Sequence, residues 1–110
     1  MLENKKCVPC QGGIPPLKKA EIDNLLNQIN AEWNVNMNKE LCKSFDFDKY
    51  LRAIKFSNLV ADLAEHQGHH PYIHINFKSV KIILFTHKIN ALHENDFLMA
   101  NKIDHIYSKL

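Results

Sequence analysis

Ala64-Glu65-His66-Gln67-Gly68-His69-His70-Pro71-Tyr72-Ile73-His74-Ile75-Asn76 is the stretch whose reading decides the fold. Its two halves carry different periods. Up to Gly68 the chain continues a helical pattern in which Phe56, Val60, Leu63 and Ala64 form one apolar stripe, as a helix buried along one side requires. Gly68 stands where such a helix ends in a left-handed turn, a conformation glycine adopts without a Cβ penalty. Pro71 restricts His70 to extended backbone. Beyond it, Ile73, Ile75 and Phe77 alternate with Tyr72, His74 and Asn76, the period of a strand. Residues 68–71 therefore switch the chain from helix to strand.

Working outward, Lys78-Ser79 is expected to turn the chain into a second strand. There Val80, Ile82 and Leu84 alternate with Lys81, Ile83 and Phe85, which predicts a strand covered on both faces. Residues 88–93 form a loop, and Met99, Ile103, Ile106 and Leu110 mark the packing stripe of a last helix. His93 opens that helix and is a poorer cap than Ser or Thr. Upstream, Pro16 suits a helix start, and Leu17, Ile22, Leu25, Leu26 and Ile29 predict an amphipathic helix ending near Asn30. Trp33, Val35 and Met37 alternate as a strand, Asn38-Lys39 turns, and Leu41, Phe45 and Phe47 share a face of the next strand. Asp48 is the expected N-cap of the central helix. The order is helix, hairpin, helix, hairpin, helix. It predicts an α+β fold with a four-stranded antiparallel sheet and the helices packed on one face.

Composition narrows the function classes. The chain has 110 residues with 14 Lys and Arg against 12 Asp and Glu, a net charge of +2. That balance, with no basic run, argues against a phosphate-binding surface and so against direct nucleic-acid binding. No apolar stretch approaches the roughly 20 residues that cross a bilayer. Residues 1–10 lack an apolar h-region, so no secretory signal is expected and the protein is placed in the cytoplasm. Cys7, Cys10 and Cys42 make an odd cysteine count, which argues against a disulfide scaffold. Cys7 and Cys10 fall in an expected flexible tail, residues 1–16, ahead of a single domain at 17–110. The lysines are expected on solvated faces.

The chemistry gathers at the helix–strand switch. The chain has seven histidines, and His66, His69, His70 and His74 flank the switch while Glu65 sits on the last helical turn. A tight hairpin returns His87, at the end of the fourth strand, to the edge where His69 and His70 begin. Histidine titrates near neutrality, so such a cluster suits a reaction that needs one acid and one base. His69 and His70 are adjacent, face opposite ways in extended chain and can take different roles. Histidine-x3-histidine spacing occurs at His66/His70 and His70/His74, yet Gly68 and Pro71 break the helix that would align such a pair on a metal. No metal or other cofactor is expected.

These residues also carry a resemblance. Ala64-Glu65, then His69-His70-Pro71, then Thr86-His87 resembles the pterin-4a-carbinolamine dehydratase family. So do Trp33 and Leu41-x-x-x-Phe45-x-Phe47, Ala53-x-x-Phe56-x-x-x-Val60-Ala61, and Leu92-x-x-x-Asp96-x-x-x-Ala100-x-x-Ile103. Cys10-x-Gly12-x-x-Pro15-Pro16-Leu17 is similar to the lead-in of bacterial members. The resemblance implies a lyase that dehydrates 4a-hydroxytetrahydropterin to quinonoid dihydropterin, recycling the cofactor of aromatic amino-acid hydroxylases. It places active-site histidines at His69, His70 and His87, a pocket carboxylate at Glu65 and an acidic residue near the pocket rim at Asp96. Pro71 and Thr86 complete the substrate-binding positions. It further implies a homodimer or homotetramer. The alternative is a non-catalytic role, because some relatives are dimerisation cofactors or assembly factors. Assembly-factor relatives commonly lose the histidines.

Overall fold

A computed structural model describes residues 15–37 and 39–110. The elements run α1 (Lys19–Leu26), β1 (Asn34–Asn36), β2 (Glu40–Asp46), α2 (Tyr50–Gln67), β3 (Tyr72–Asn76), β4 (Ser79–Leu84) and α3 (Glu94–Ser108). The tail expected at 1–16 lies outside the described residues through position 14, Cys7 and Cys10 included.

The strands form one antiparallel sheet in the order β1-β2-β4-β3. Period-two alternation gives it one buried face, with Leu41 and Phe45 of β2 beside Val80, Ile82 and Leu84 of β4. The helices cover this face. α2 brings Ala53, Phe56, Val60 and Ala64, α3 brings Phe97, Met99, Ala100 and Ile103, and α1 adds Ile22 and Leu25. Phe45, Phe56 and Tyr107 pack as rings, with centroids 4.8 Å apart for the phenylalanines and 5.0 Å from Phe45 to Tyr107. On the other face Ser44, Asp46, His74, Asn76 and Lys81 are exposed. β4 is thus covered on one side, not both: Ile83 and Phe85 are only half-buried there.

Several local expectations shift by a residue or two. α1 is shorter than its apolar spacing suggested; Leu17 precedes it, its N–H bonded to the Leu92 carbonyl. Met37 leaves the strand and takes a positive φ of 52° in the turn. In the second hairpin Asn76 pairs with Ser79, so the connecting residues are Phe77-Lys78, with Phe77 at φ 53°. Lys49, not Asp48, occupies the N-cap of α2; Asp48 instead pairs with Arg52 at 3.3 Å. Gly68 ends α2 at φ 67°, in the left-handed region expected of it.

One lysine overturns the solvated-face expectation. Lys43 lies between Leu41 and Phe45 on the buried face of β2, and its ammonium sits 2.7 Å from Oδ1 of Asp104. The other Asp104 oxygen accepts the Trp33 indole N–H at 2.8 Å. The ammonium also lies 4.6 Å from the centre of the Phe45 ring, a cation–π contact. A buried cation needs a partner of this kind. Its hydrogen-bond partner Asp104 is 61 positions away in sequence, and Glu32 lies 3.9 Å from the same ammonium.

Candidate active site

The switch from α2 to β3 builds the site. Gly68 stops the helix, and both its own N–H and that of His69 bond back to the Ala64 carbonyl. This leaves Glu65 on the final turn and sends His69 and His70 into the lead of β3. The β3–β4 ladder pairs Tyr72 with Ile83, so β4 runs back toward the start of β3. Thr86 and His87 follow directly. A bridge between Thr86 and Ala91 then closes the loop that carries His87.

Asp96 is the anchor. It is wholly buried in the first turn of α3. Its Oδ1 lies 2.6 Å from His69 Nε2, and its Oδ2 accepts from the Thr86 hydroxyl at 3.0 Å and from the His93 backbone N–H at 2.9 Å. An ionised carboxylate only accepts, so His69 donates through Nε2 and keeps Nδ1 as its second nitrogen. A carboxylate is also favoured at a helix N-terminus. His93 proves an effective cap: its Nδ1 accepts the Asn95 N–H at 3.1 Å and completes a capping box with Asp96.

His70 and His87 are held differently. His70 is exposed, and its Nε2 lies 2.6 Å from Oε1 of Glu65. His87 is exposed too, and its ring centre lies 4.1 Å from that of Phe85 and 5.5 Å from that of Tyr72. Pro71 is half-buried between His70 and the first residue of β3.

The structure therefore unites His69, Thr86 and Asp96 around one carboxylate, joins His70 to Glu65, and sets His87 against two aromatic rings. Asp96 is not at a rim: it has no exposed surface. Sequence reasoning missed that Tyr72 and Phe85 meet His87. The Tyr72–Phe85 contact was within reach, since residues diagonal across an antiparallel pair meet when one is aromatic. Among the described residues no group of three or more His, Cys, Asp or Glu is arranged to hold a metal ion. A surface hollow of about 350 Å³ opens between the start of α2 and the end of α3. Its lining, which includes Lys49, Arg52, Lys55 and Lys109, contains none of the clustered histidines.

A histidine pair, each member 2.6 Å from a carboxylate, thus stands at the helix–strand junction of an α+β sandwich. The chain belongs to the pterin 4 alpha carbinolamine dehydratase family, whose model matches residues 15–106. It is 45% identical over 104 residues to a protein of Rickettsia canadensis named pterin-4-alpha-carbinolamine dehydratase, covering 94% of this chain and 95% of that one. A protein of the same name from Alkaliphilus metalliredigens is 43% identical over 103 residues, covering 94% of this chain and 93% of the other. Dehydratases of this name are hydro-lyases. Among solved structures, a transcriptional coactivator/pterin dehydratase from Brucella melitensis superposes with a TM-score of 0.79 at 29% identity, covering 84% of this chain and 99% of that one. A pterin dehydratase-like RuBisCO assembly factor of the alpha-carboxysome gives a TM-score of 0.61 at 27% identity, covering 69% of this chain and 89% of that one. No helix among the described residues is long and apolar enough to cross a membrane.

Proposed function

We propose that this chain catalyses the dehydration of 4a-hydroxytetrahydropterin to quinonoid dihydropterin and water. The C4a–O bond breaks, the leaving hydroxyl takes a proton from an acid, and N5 gives its proton to a base as the C4a–N5 double bond forms. One proton is given and one is taken, so the net protonation of the enzyme is unchanged, proton exchange with water resets the acid and the base, and no cofactor is needed. His69 and His87 are the proton-transfer pair, and His70 orients the substrate together with Glu65 and Pro71. Thr86 and Asp96 act one step back, through His69. The observation that carries the reading is the 2.6 Å contact of His69 with a buried carboxylate, which fixes the tautomer and leaves Nδ1 for the reaction. Positioned acid–base groups of this kind contribute about 10²–10⁴-fold.

The structural neighbours named as a coactivator and an assembly factor suggest a protein-binding role instead. Such a role makes no demand on the orientation of three histidines, and so the dehydratase reading is favoured. The protein is proposed to act in the cytoplasm on a pterin, as a homodimer or homotetramer. The test is the decay of 4a-hydroxytetrahydropterin with and without purified protein. Wild type should accelerate it. His69→Ala and His87→Ala should each fall toward the spontaneous rate while retaining native circular dichroism, and His70→Ala should impair binding, turnover or both. A wild-type protein that leaves the spontaneous rate unchanged refutes the reading.

A further inference from the structure

We propose that Tyr72 and Phe85 form an aromatic clamp that sets the ring orientation of His87, which makes both of them positioning residues for its proton transfer. The assignment rests on the dehydratase reading above.

The three clustered histidines are held in three ways. His69 has Asp96 and His70 has Glu65, each at 2.6 Å. His87 has no side-chain hydrogen bond among the described residues, and its side chain is exposed. Its backbone is nevertheless fixed. Thr86 N–H bonds to the Ala91 carbonyl at 2.9 Å, and Asn90 N–H bonds to the His87 carbonyl at 3.2 Å. What remains free is rotation about the side-chain torsions, and there the rings act. His87 lies 4.1 Å from Phe85 and 5.5 Å from Tyr72, while Tyr72 and Phe85 lie 5.4 Å from each other. The three centroids close a triangle, so each ring touches both others. Two of the contacts are edge-on, at 70° and 64°, the geometry that aromatic quadrupoles prefer. Tyr72 is itself backed by the His74 ring, stacked at 6.5 Å and 20°.

The local pattern explains the assembly. Tyr72 pairs with Ile83, which makes Phe85 its diagonal neighbour. Tyr72 is 45% exposed on an edge strand, so its ring fills no core space. A catalytic group on a loop needs neighbours that hold its rotamer, since a loosely held group loses rate through misorientation. The clamp supplies that hold where no carboxylate does.

The test combines kinetics with NMR on the intact protein. Tyr72→Ala and Phe85→Leu should each lower kcat by about three- to tenfold, the equivalent of one aromatic pair, with KM little changed. Tyr72→Phe keeps the ring and should restore wild-type kcat. The His87 ring protons should carry ring-current shifts that change in Tyr72→Ala and again in Phe85→Leu, which removes the nearer ring. Melting temperature serves as the control, because a purely structural role would lower it without splitting kcat from KM. An active wild type whose kcat is unaltered in Tyr72→Ala overturns the proposal, as do unmoved His87 shifts. A raised KM at constant kcat also overturns it, by making Tyr72 a substrate contact. An inactive wild type refutes the dehydratase reading and the role of the clamp with it, while the NMR arm still reports whether the rings meet.

Discussion

Nε2 of His69 and Oδ1 of Asp96 stand 2.6 Å apart across 27 positions of sequence. The contact joins the end of α2 to the start of α3, and the same carboxylate ties in Thr86 and the backbone of His93. The placing of His69 and the capping of α3 thus share one buried side chain.

Removing that side chain should cost both stability and rate. Asp96→Ala leaves the buried His69 and Thr86 donors without their acceptor, and denaturant unfolding should show a loss of about 3–5 kcal/mol. Asp96→Asn keeps the shape but no longer enforces the His69 tautomer. It should retain the fold and lower turnover by about a hundredfold or more. Asn at full activity would show that the carboxylate only caps the helix.

Gly68→Ala isolates backbone strain. A Cβ at this position meets nothing within 4 Å, so no clash contributes. The φ of 67° remains unfavourable for any residue with a Cβ, and the expected cost is about 1–2 kcal/mol by equilibrium unfolding. A cost of several kcal/mol would mean that the turn itself rearranges.

Lys43 and Asp104 should behave as a coupled pair. Each single change, Lys43→Met or Asp104→Leu, removes the 2.7 Å partner of the other, and Asp104→Leu leaves Lys43 with Glu32 at 3.9 Å. A double-mutant cycle should yield a coupling of about 1–3 kcal/mol, with the double variant more stable than the sum of the singles implies. Strict additivity would contradict the pairing.

Cys42 should resist alkylation at neutral pH. Burial pushes its thiol above the usual value and Glu40 adds to this, while Lys81 works the other way. The thiolate is the nucleophile, so a raised pKa moves the onset of reaction to higher pH. Peptide mapping after iodoacetamide treatment across a pH series should show Cys42 reacting later than a free thiol.

Assembly is the remaining expectation. Trp33, Met99 and Ile103 are all buried in the core and offer it no surface. Apolar surface is left instead at Ile75 and Phe77, beside the open edge of β3, and at Leu51 and Leu59 on α2. An unpaired edge with apolar flanks favours association. Light scattering at micromolar protein should give at least a dimeric mass, and a fully active monomer would refute this.

Much of the fold is legible because its rules are local. The helical stripe through Phe56, Val60 and Ala64, the left-handed stop at Gly68 and the alternation through Val80, Ile82 and Leu84 each depend on a few neighbouring residues. Turn placement was less legible. Moving the turn from Lys78-Ser79 to Phe77-Lys78 shifts a register that only pairing across the hairpin decides. Lys43 was misread because its charge points to water, while its place between Leu41 and Phe45 points inward. Asp104, brought in by α3 to 2.7 Å, and Glu32 at 3.9 Å settle which tendency wins.

By itself, then, the sequence determined the order of elements, the helix–strand switch at residues 68–71 and the return of His87 toward His69 and His70. These follow from backbone sterics and side-chain period, which act over a few residues. The tertiary structure alone decided which group holds each histidine: Asp96 for His69, Glu65 for His70, and the rings of Tyr72 and Phe85 for His87. Hydrogen bonds and ring contacts form within a few ångströms. Which carboxylate or ring comes that close depends on how α2, α3 and the hairpin pack around the shared core.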